Sequence, residues 1–145
     1  IFREQYLPHI EPFPDVRALF EHMRDSGLSL FIATSAKPED LKPLLRIANV
    51  TDLLSGEAST KDAKHSKPDP DIVEAAMDKS GLPADKLVMV GDTPYDIEAA
   101  SRAGVRCIAF RSGGWPDDKL TGAAQIYDGP WDMLDNYRRF ERMFE

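Results

Sequence analysis

The sequence predicts an α/β fold: a doubly wound, mainly parallel, Rossmann-like sheet covered by helices on both faces. Apolar runs of strand length alternate with segments whose apolar residues recur at helical spacing. This alternation is typical of parallel strands joined by right-handed helical crossovers. A chain of 145 residues that is 42% hydrophobic fits one domain with a core of its own.

Helical spacing and breaker residues predict five helices. They are expected over residues 15–26, from 38 onward, over 71–80, from 94 to the glycine at 104, and over 130–144. Pro43 inside the second helix predicts a kink or a restart. In the last helix, the residues expected to face the core are Trp131, Leu134, Tyr137 and Met143.

Apolar runs place the strands between these helices. Strands are expected over residues 28–33, 87–90 and 105–110, with shorter runs at 52–54 and 125–127. The run at 87–90 has the length of a buried strand. Residues 55–67 are polar and predict an irregular connection, and residues 111–118 predict a loop.

Charge and composition exclude several classes of protein. The net charge of -7, without a basic cluster, argues against a nucleic-acid partner. No apolar run has membrane-spanning length, so no membrane partner is expected either. The single cysteine, Cys107, excludes an internal disulfide and favours a reducing compartment, and we expect a cytoplasmic protein.

The stretch around Asp92 carries the strongest signal for a site. Gly91 ends an apolar strand, and Thr93 and Pro94 are typical of the first residues of a helix. Asp92 is therefore expected at the carboxyl end of a strand, where α/β sheets bind ligands, and Asp96 lies one helical turn further on. Two carboxylates suit Mg²⁺. On this stretch alone, a cap at Asp92 and a solvated Asp96 are equally compatible with the pattern.

Two further polar sets are expected near the same edge of the sheet. Thr34 and Ser35 follow the strand at 28–33 and could hold phosphate oxygens, although a simple turn is the commoner meaning of such a pair. Lys67 directly precedes Pro68 and Pro70 at the start of a helix and could balance phosphate charge, although a solvated lysine is the commoner case. The combination of hydroxyl, lysine and two carboxylates is more specific than its parts.

These residues resemble three motifs of the haloacid dehalogenase superfamily, in its phosphoglycolate-phosphatase-like branch. The second motif is similar to residues 31–35 (FIATS), the third to 66–70 (SKPDP) and the fourth to 91–96 (GDTPYD). Residues 111–115 (RSGGW) resemble the loop that follows the next strand in that family. The resemblance implies that residues 1–11 are the remnant of a helical cap and its return linker, and that 12–145 form the core domain.

The resemblance implies a Mg²⁺-dependent phosphatase that acts through an aspartyl-phosphate on a small phosphorylated metabolite. Thr34 and Ser35 would bind the transferring phosphoryl group. Lys67 would pair with the nucleophile and the phosphate. Asp92 would bind Mg²⁺, and Asp96 would order the surroundings of the ion and position Lys67.

One family motif has no counterpart in this sequence. The first motif, Asp-x-Asp-Gly-Thr, supplies the nucleophile, and Asp128 followed by Gly129 is its nearest look-alike here. Asp15 and Asp52 lie in no matching pattern. We expect the motif upstream of Ile1, on a strand that would lie between those ending at Thr34 and Gly91. This chain alone would then be inactive, with exposed sheet edges that favour self-association or strand swapping.

Other functions remain open to different degrees. A non-enzymatic module that binds phosphate or Mg²⁺ would share the same residues without a nucleophile. Dehalogenation of 2-haloacids is compatible with the family, although it requires no metal. A receiver-type signalling domain is disfavoured by the order of its acidic, hydroxyl and lysine residues, and a dinucleotide-binding domain by the lack of a G-x-G-x-x-G segment.

Overall fold

The computed structural model describes residues 15–34, 37–59, 62–65 and 67–145. Ser35 and the expected cap remnant at 1–11 lie outside the described residues. The described residues include five strands: β1 (Phe31–Ala33), β2 (Gly56–Ala58), β3 (Val88–Gly91), β4 (Arg106–Phe110) and β5 (Gln125–Tyr127). The α-helices are α1 (Val16–Asp25), α2 (Pro38–Ala48), α3 (Asp71–Ser80), α4 (Pro94–Arg102), α5 (Pro130–Asp135) and α6 (Tyr137–Glu141).

Helices cover both faces of the sheet, which confirms the predicted fold class. All strand pairings are parallel. Along β4, Cys107 and Ala109 pack in a cluster with residues of α3 and α4. Ile108, which points the opposite way, packs with residues of α1, α5 and α6. A third cluster joins α2 to α1, and α1 also contributes residues to the second cluster.

The sheet is divided between β1 and β3. Strands β1 and β2 form one parallel pair, and β3, β4 and β5 form a second sheet in that order. No ladder joins β1 to β3 within the described residues, although Ala33 and Met89 pack against the same cluster. The division falls where the sequence analysis places the missing strand. The described strands of the chain do not close it.

Strand β3 is less buried than its apolar sequence predicts. Val88 packs against the cluster of α1, α5 and α6, but Val90 is 38% exposed. The expectation of a fully buried strand is therefore wrong at this end. The physical reason is that β3 is the edge strand of its sheet and borders the division, where no described strand pairs with it.

Two segments near the first sheet differ from expectation. Residues 52–54 do not form a strand: a 3₁₀ turn covers Thr51–Leu53, and the strand is β2, inside the stretch predicted to be irregular. Its three residues, Gly-Glu-Ala, show no apolar alternation, so pairing with β1 rather than local propensity holds it extended. Helix α2 continues through Pro43 without a restart.

The last predicted helix is interrupted at Asn136. Its backbone leaves the helical region, and its side-chain amide donates to the Asp132 carbonyl at 3.0 Å and to Asp132 Oδ1 at 2.7 Å. The break changes which residues face inward. Met133, Tyr137 and Phe140 are buried, whereas Trp131, Leu134 and Met143 are only partly buried. Among the described residues, no helix has the length and apolar character that crossing a bilayer requires.

Candidate functional site

The start of α4 is fixed by a reciprocal capping box. Thr93 Oγ1 accepts a hydrogen bond from the Asp96 N–H, and Asp96 Oδ2 accepts one from the Thr93 N–H, both at 3.2 Å. Pro94 occupies the first helical turn. These contacts satisfy helix N–H groups that would otherwise lack partners. The expected N-cap is confirmed, and the same contacts hold Asp96 inside the protein at 5% exposure.

Lys67 and Asp96 form a buried ion pair. Lys67 Nζ donates to Asp96 Oδ1 at 2.6 Å, and the two side chains are 20% and 7% exposed. Asp96 Oδ2 is also occupied, because it accepts from the Asp92 N–H at 3.1 Å and from Thr93 Oγ1 at 3.0 Å. The alternatives of a solvated Lys67 and a solvated Asp96 are therefore wrong. Burial, the largest single effect, raises the pKa of Asp96, but Lys67 and the hydrogen bonds from Asp92 and Thr93 together lower it below its usual range.

Asp92 is the second carboxylate of the site, and its environment differs from that of Asp96. It directly follows β3 and is partly buried. Within the part of the chain that the structure describes, its carboxylate makes no hydrogen bond or ion pair. Burial and the nearby charge of Asp96 raise the pKa of Asp92, and Lys67 opposes this rise. A partly desolvated carboxylate without a protein donor is suited to a bound cation.

The carboxylates of this site meet part of what Mg²⁺ requires of its ligands. No group of three or more His, Cys, Asp or Glu side chains lies together among the described residues. Mg²⁺ is usually held by only one or two carboxylates, together with waters and substrate phosphate oxygens. Asp92 fits one such ligand. Both oxygens of Asp96 have protein partners, so its geometry fits the positioning of Lys67 better than direct coordination.

Thr34 lies at the carboxyl end of β1, on the other sheet. Its N–H donates to the Ala58 carbonyl at 3.1 Å, which extends the pairing of β1 with β2 by one residue. The structure thus brings Lys67, Asp92 and Asp96 together and holds Thr34 on the neighbouring strand pair. Its predicted role in binding phosphate remains a prediction.

Two glycines contact the carboxylate residues closely, and the sequence analysis assigned them no function. A Cβ on Gly91 would lie 2.5 Å from Asp96 Cβ, and a Cβ on Gly113 would lie 2.7 Å from Asp92 Cβ. Real Cβ atoms do not approach so closely, so only glycine fits at either position. The signal for the second contact was the Gly113–Gly114 pair in the loop after β4, because paired glycines are typical of close backbone approaches.

Comparison with known proteins gives consistent matches. The family model for haloacid dehalogenase-like hydrolases matches residues 2–110. The phosphoglycolate phosphatase of Aliivibrio fischeri is 32% identical over 101 residues, covering 70% of this chain and 44% of that protein. The pyrophosphatase PpaX of Oceanobacillus iheyensis is 29% identical over 100 residues, covering 69% of this chain and 47% of that protein.

The structural comparison agrees with the sequence matches. The crystal structure of a hydrolase from Pseudomonas syringae superposes with a TM-score of 0.87 at 28% identity. The superposition covers 94% of this chain and 64% of that one. The chain spans about half the length of the curated relatives it matches.

Proposed function

Because the chain belongs to the haloacid dehalogenase-like hydrolases, we propose that the protein hydrolyses a small phosphate ester with the help of Mg²⁺. The observation that carries the proposal is the cluster of Lys67, Asp92 and Asp96, in which the Lys67 ammonium is paired with Asp96 and lies near the Asp92 carboxylate. Two of its relatives are a phosphoglycolate phosphatase and a pyrophosphatase, which supports a phosphorylated substrate.

Each residue of the site has a defined task in this proposal. Asp96 holds the Lys67 ammonium in place, and the ammonium stabilises negative charge on the phosphoryl group. Thr34 donates a hydrogen bond to the same group, and Ser35 assists in binding it. Asp92 provides a carboxylate ligand for Mg²⁺. When bound, the ion neutralises charge on the phosphoryl oxygens.

The nucleophile is assigned to a segment upstream of Ile1. Relatives about twice as long and the division between β1 and β3 support a further strand at this position. In the reaction, an aspartate oxygen on that strand bonds to phosphorus while the ester P–O bond breaks, and the leaving alcohol takes a proton from a general acid. Water then attacks phosphorus and gives its proton to the same acid/base group, while the bond between the aspartate oxygen and phosphorus breaks, which releases phosphate and restores both groups.

The 145-residue chain alone is inactive on this proposal. The open edges of β1 and β3 carry backbone groups that can pair with an added strand. In the absence of the upstream segment, a second copy of the chain is the alternative source of such a strand. The expected self-association can be checked by measuring the molecular mass of the isolated chain in solution.

Hydrolysis of an aryl phosphate tests the proposed function. The protein that includes the upstream segment should release phosphate only when Mg²⁺ is present, and Asp92→Asn should abolish the release. Lys79→Met serves as a control, because Lys79 makes a more exposed ion pair, with Asp62 at 3.4 Å. Tight binding of phosphate without turnover would instead identify a non-enzymatic binding module.

A further inference from the structure

We propose that Gly113 positions the Asp92 carboxylate, and that an ion-pair clamp on Arg111 keeps the Gly113 loop (residues 111–117) in place. The inference deepens the proposed function and rests on it, because it concerns the residue to which the proposal assigns Mg²⁺ binding. Gly113 is a positioning residue in this account, since it acts only through Asp92.

The contact between Gly113 and Asp92 involves both backbone and side chain. A Cβ on Gly113 would lie 2.6 Å from the Asp92 carbonyl oxygen, 2.7 Å from its Cβ and 2.8 Å from its Cγ. The backbone of Gly113 therefore packs directly against the side chain of Asp92. A methyl group at this position cannot be accommodated unless the loop or Asp92 moves.

This close contact matters because no other residue that the structure describes forms a hydrogen bond or an ion pair with the Asp92 carboxylate. Asp96 is held by hydrogen bonds to both of its oxygens. Asp92, within the described residues, is held only by its backbone and by packing. The position of Gly113 therefore limits the orientations open to the Asp92 carboxylate. A metal-binding side chain that already has few accessible orientations loses less conformational entropy when the ion binds.

The loop that carries Gly113 is fixed by Arg111. The guanidinium donates to both oxygens of Asp117, at 2.8 and 2.9 Å, and to Asp128 Oδ1 at 2.8 Å. The planar guanidinium and the bidentate pair with Asp117 define the separation of the two ends of the loop. The contact with Asp128 connects the loop to the segment before α5.

A second anchor lies beyond the glycines. Trp115 packs edge-to-face with Tyr95 at 5.9 Å between ring centroids and also contacts the core cluster of α3 and α4. Tyr95 belongs to the first turn of α4 and lies between the two capping-box residues, Thr93 and Asp96. The loop therefore passes over Asp92 between an ion-pair clamp and an aromatic contact.

The test compares Gly113→Ala with Gly114→Ala in the protein that includes the upstream segment. Gly114 has φ +88° and open space around its Cβ direction, so alanine there strains the same loop without contacting Asp92. The readout is the affinity for Mn²⁺ as a probe of the Mg²⁺ site, measured by electron paramagnetic resonance.

We expect Gly113→Ala to weaken Mn²⁺ binding by about 10- to 100-fold, the range typical of residues that orient a metal ligand. Gly114→Ala should lower stability but change the affinity by less than about threefold. In an Asp92→Asn background, Gly113→Ala should have little further effect, because its influence acts through Asp92. Arg111→Met should weaken binding in the same direction as Gly113→Ala.

Equal affinities for Gly113→Ala and Gly114→Ala would overturn the positioning role while leaving the proposed function intact. The same conclusion would follow if Gly113→Ala weakened binding equally with and without Asp92. If the unsubstituted protein bound no Mn²⁺, the magnesium site itself would be refuted, and the positioning role with it.

Discussion

Replacing Lys67 with methionine tests how the site is held together. Lys67→Met keeps most of the side-chain volume and removes the ammonium that donates to Asp96 Oδ1 at 2.6 Å. The Asp96 side chain is only 7% exposed, so water cannot fully replace the lost partner. The substitution therefore leaves a buried carboxylate without its counter-ion.

The expected cost follows from this burial. Removing one partner of a buried ion pair typically destabilises a protein by about 3–5 kcal/mol. Asp96 retains the donors on Oδ2, from the backbone of Asp92 and Thr93 and from the Thr93 hydroxyl. These remaining bonds place the estimate at the lower end, about 3 kcal/mol.

The cost should depend on pH in a defined direction. Lys67 lowers the pKa of Asp96 in the folded state, so the stability that this pair contributes is present above the unfolded pKa of about 3.9. That contribution is lost as the pH falls through the folded pKa. In Lys67→Met, burial dominates and favours protonation of Asp96. The two proteins should therefore differ most near neutral pH and converge in acid.

Urea unfolding at pH 7 and in acid measures both effects. Lys86→Met is the matched control: Lys86 is exposed, so a loss below about 0.5 kcal/mol is expected. Adding Asp96→Asn to Lys67→Met should recover part of the stability at pH 7. A Lys67→Met protein within about 0.5 kcal/mol of the original at pH 7 would refute the reasoning.

Three further predictions concern the same region. Thr93→Ala should destabilise the chain by about 1 kcal/mol in urea unfolding, because the N-cap is lost. Thr93→Ser should keep most of the stability, because serine can also act as the N-cap. Asp92→Asn should stabilise the chain near neutral pH, because burial and Asp96 raise the pKa of Asp92 and its charge is unfavourable there. The gain should disappear as the pH falls through the unfolded value of about 3.9, and a gain that is independent of pH would contradict it. Cys107 is 3% exposed, and burial raises its pKa to about 12, so an aromatic disulfide reagent should label it only upon unfolding. Rapid labelling of the folded chain would show that this part of the core opens.

The sequence was most informative where local chemistry and tertiary structure agree. Thr93 and Pro94 predict a helix start by their own backbone preferences, and α4 begins there. The order of Thr34, Lys67 and Asp92 along alternating strands and helices predicts a common site, and the structure joins Lys67 to Asp96 beside Asp92.

The sequence was least informative where distant contacts decide the structure. Strand β2 is extended because it pairs with β1, and Gly-Glu-Ala alone gives no such signal. The break at Asn136 depends on side-chain bonds to Asp132 that compete with the helix. The Gly113–Gly114 pair signals a close backbone approach, but its partner, Asp92, is set by the packing of two loops and cannot be read from the sequence.

The most direct measurement of the central claim is complementation of the chain by a separate polypeptide. The 145-residue chain and the proposed nucleophile-bearing segment are prepared apart, and hydrolysis of an aryl phosphate is followed with and without Mg²⁺. We predict no turnover by either piece alone and Mg²⁺-dependent turnover by the mixture, abolished by Asp92→Asn. Turnover by the chain alone, or a stable mixture of the two pieces without turnover, would contradict the account.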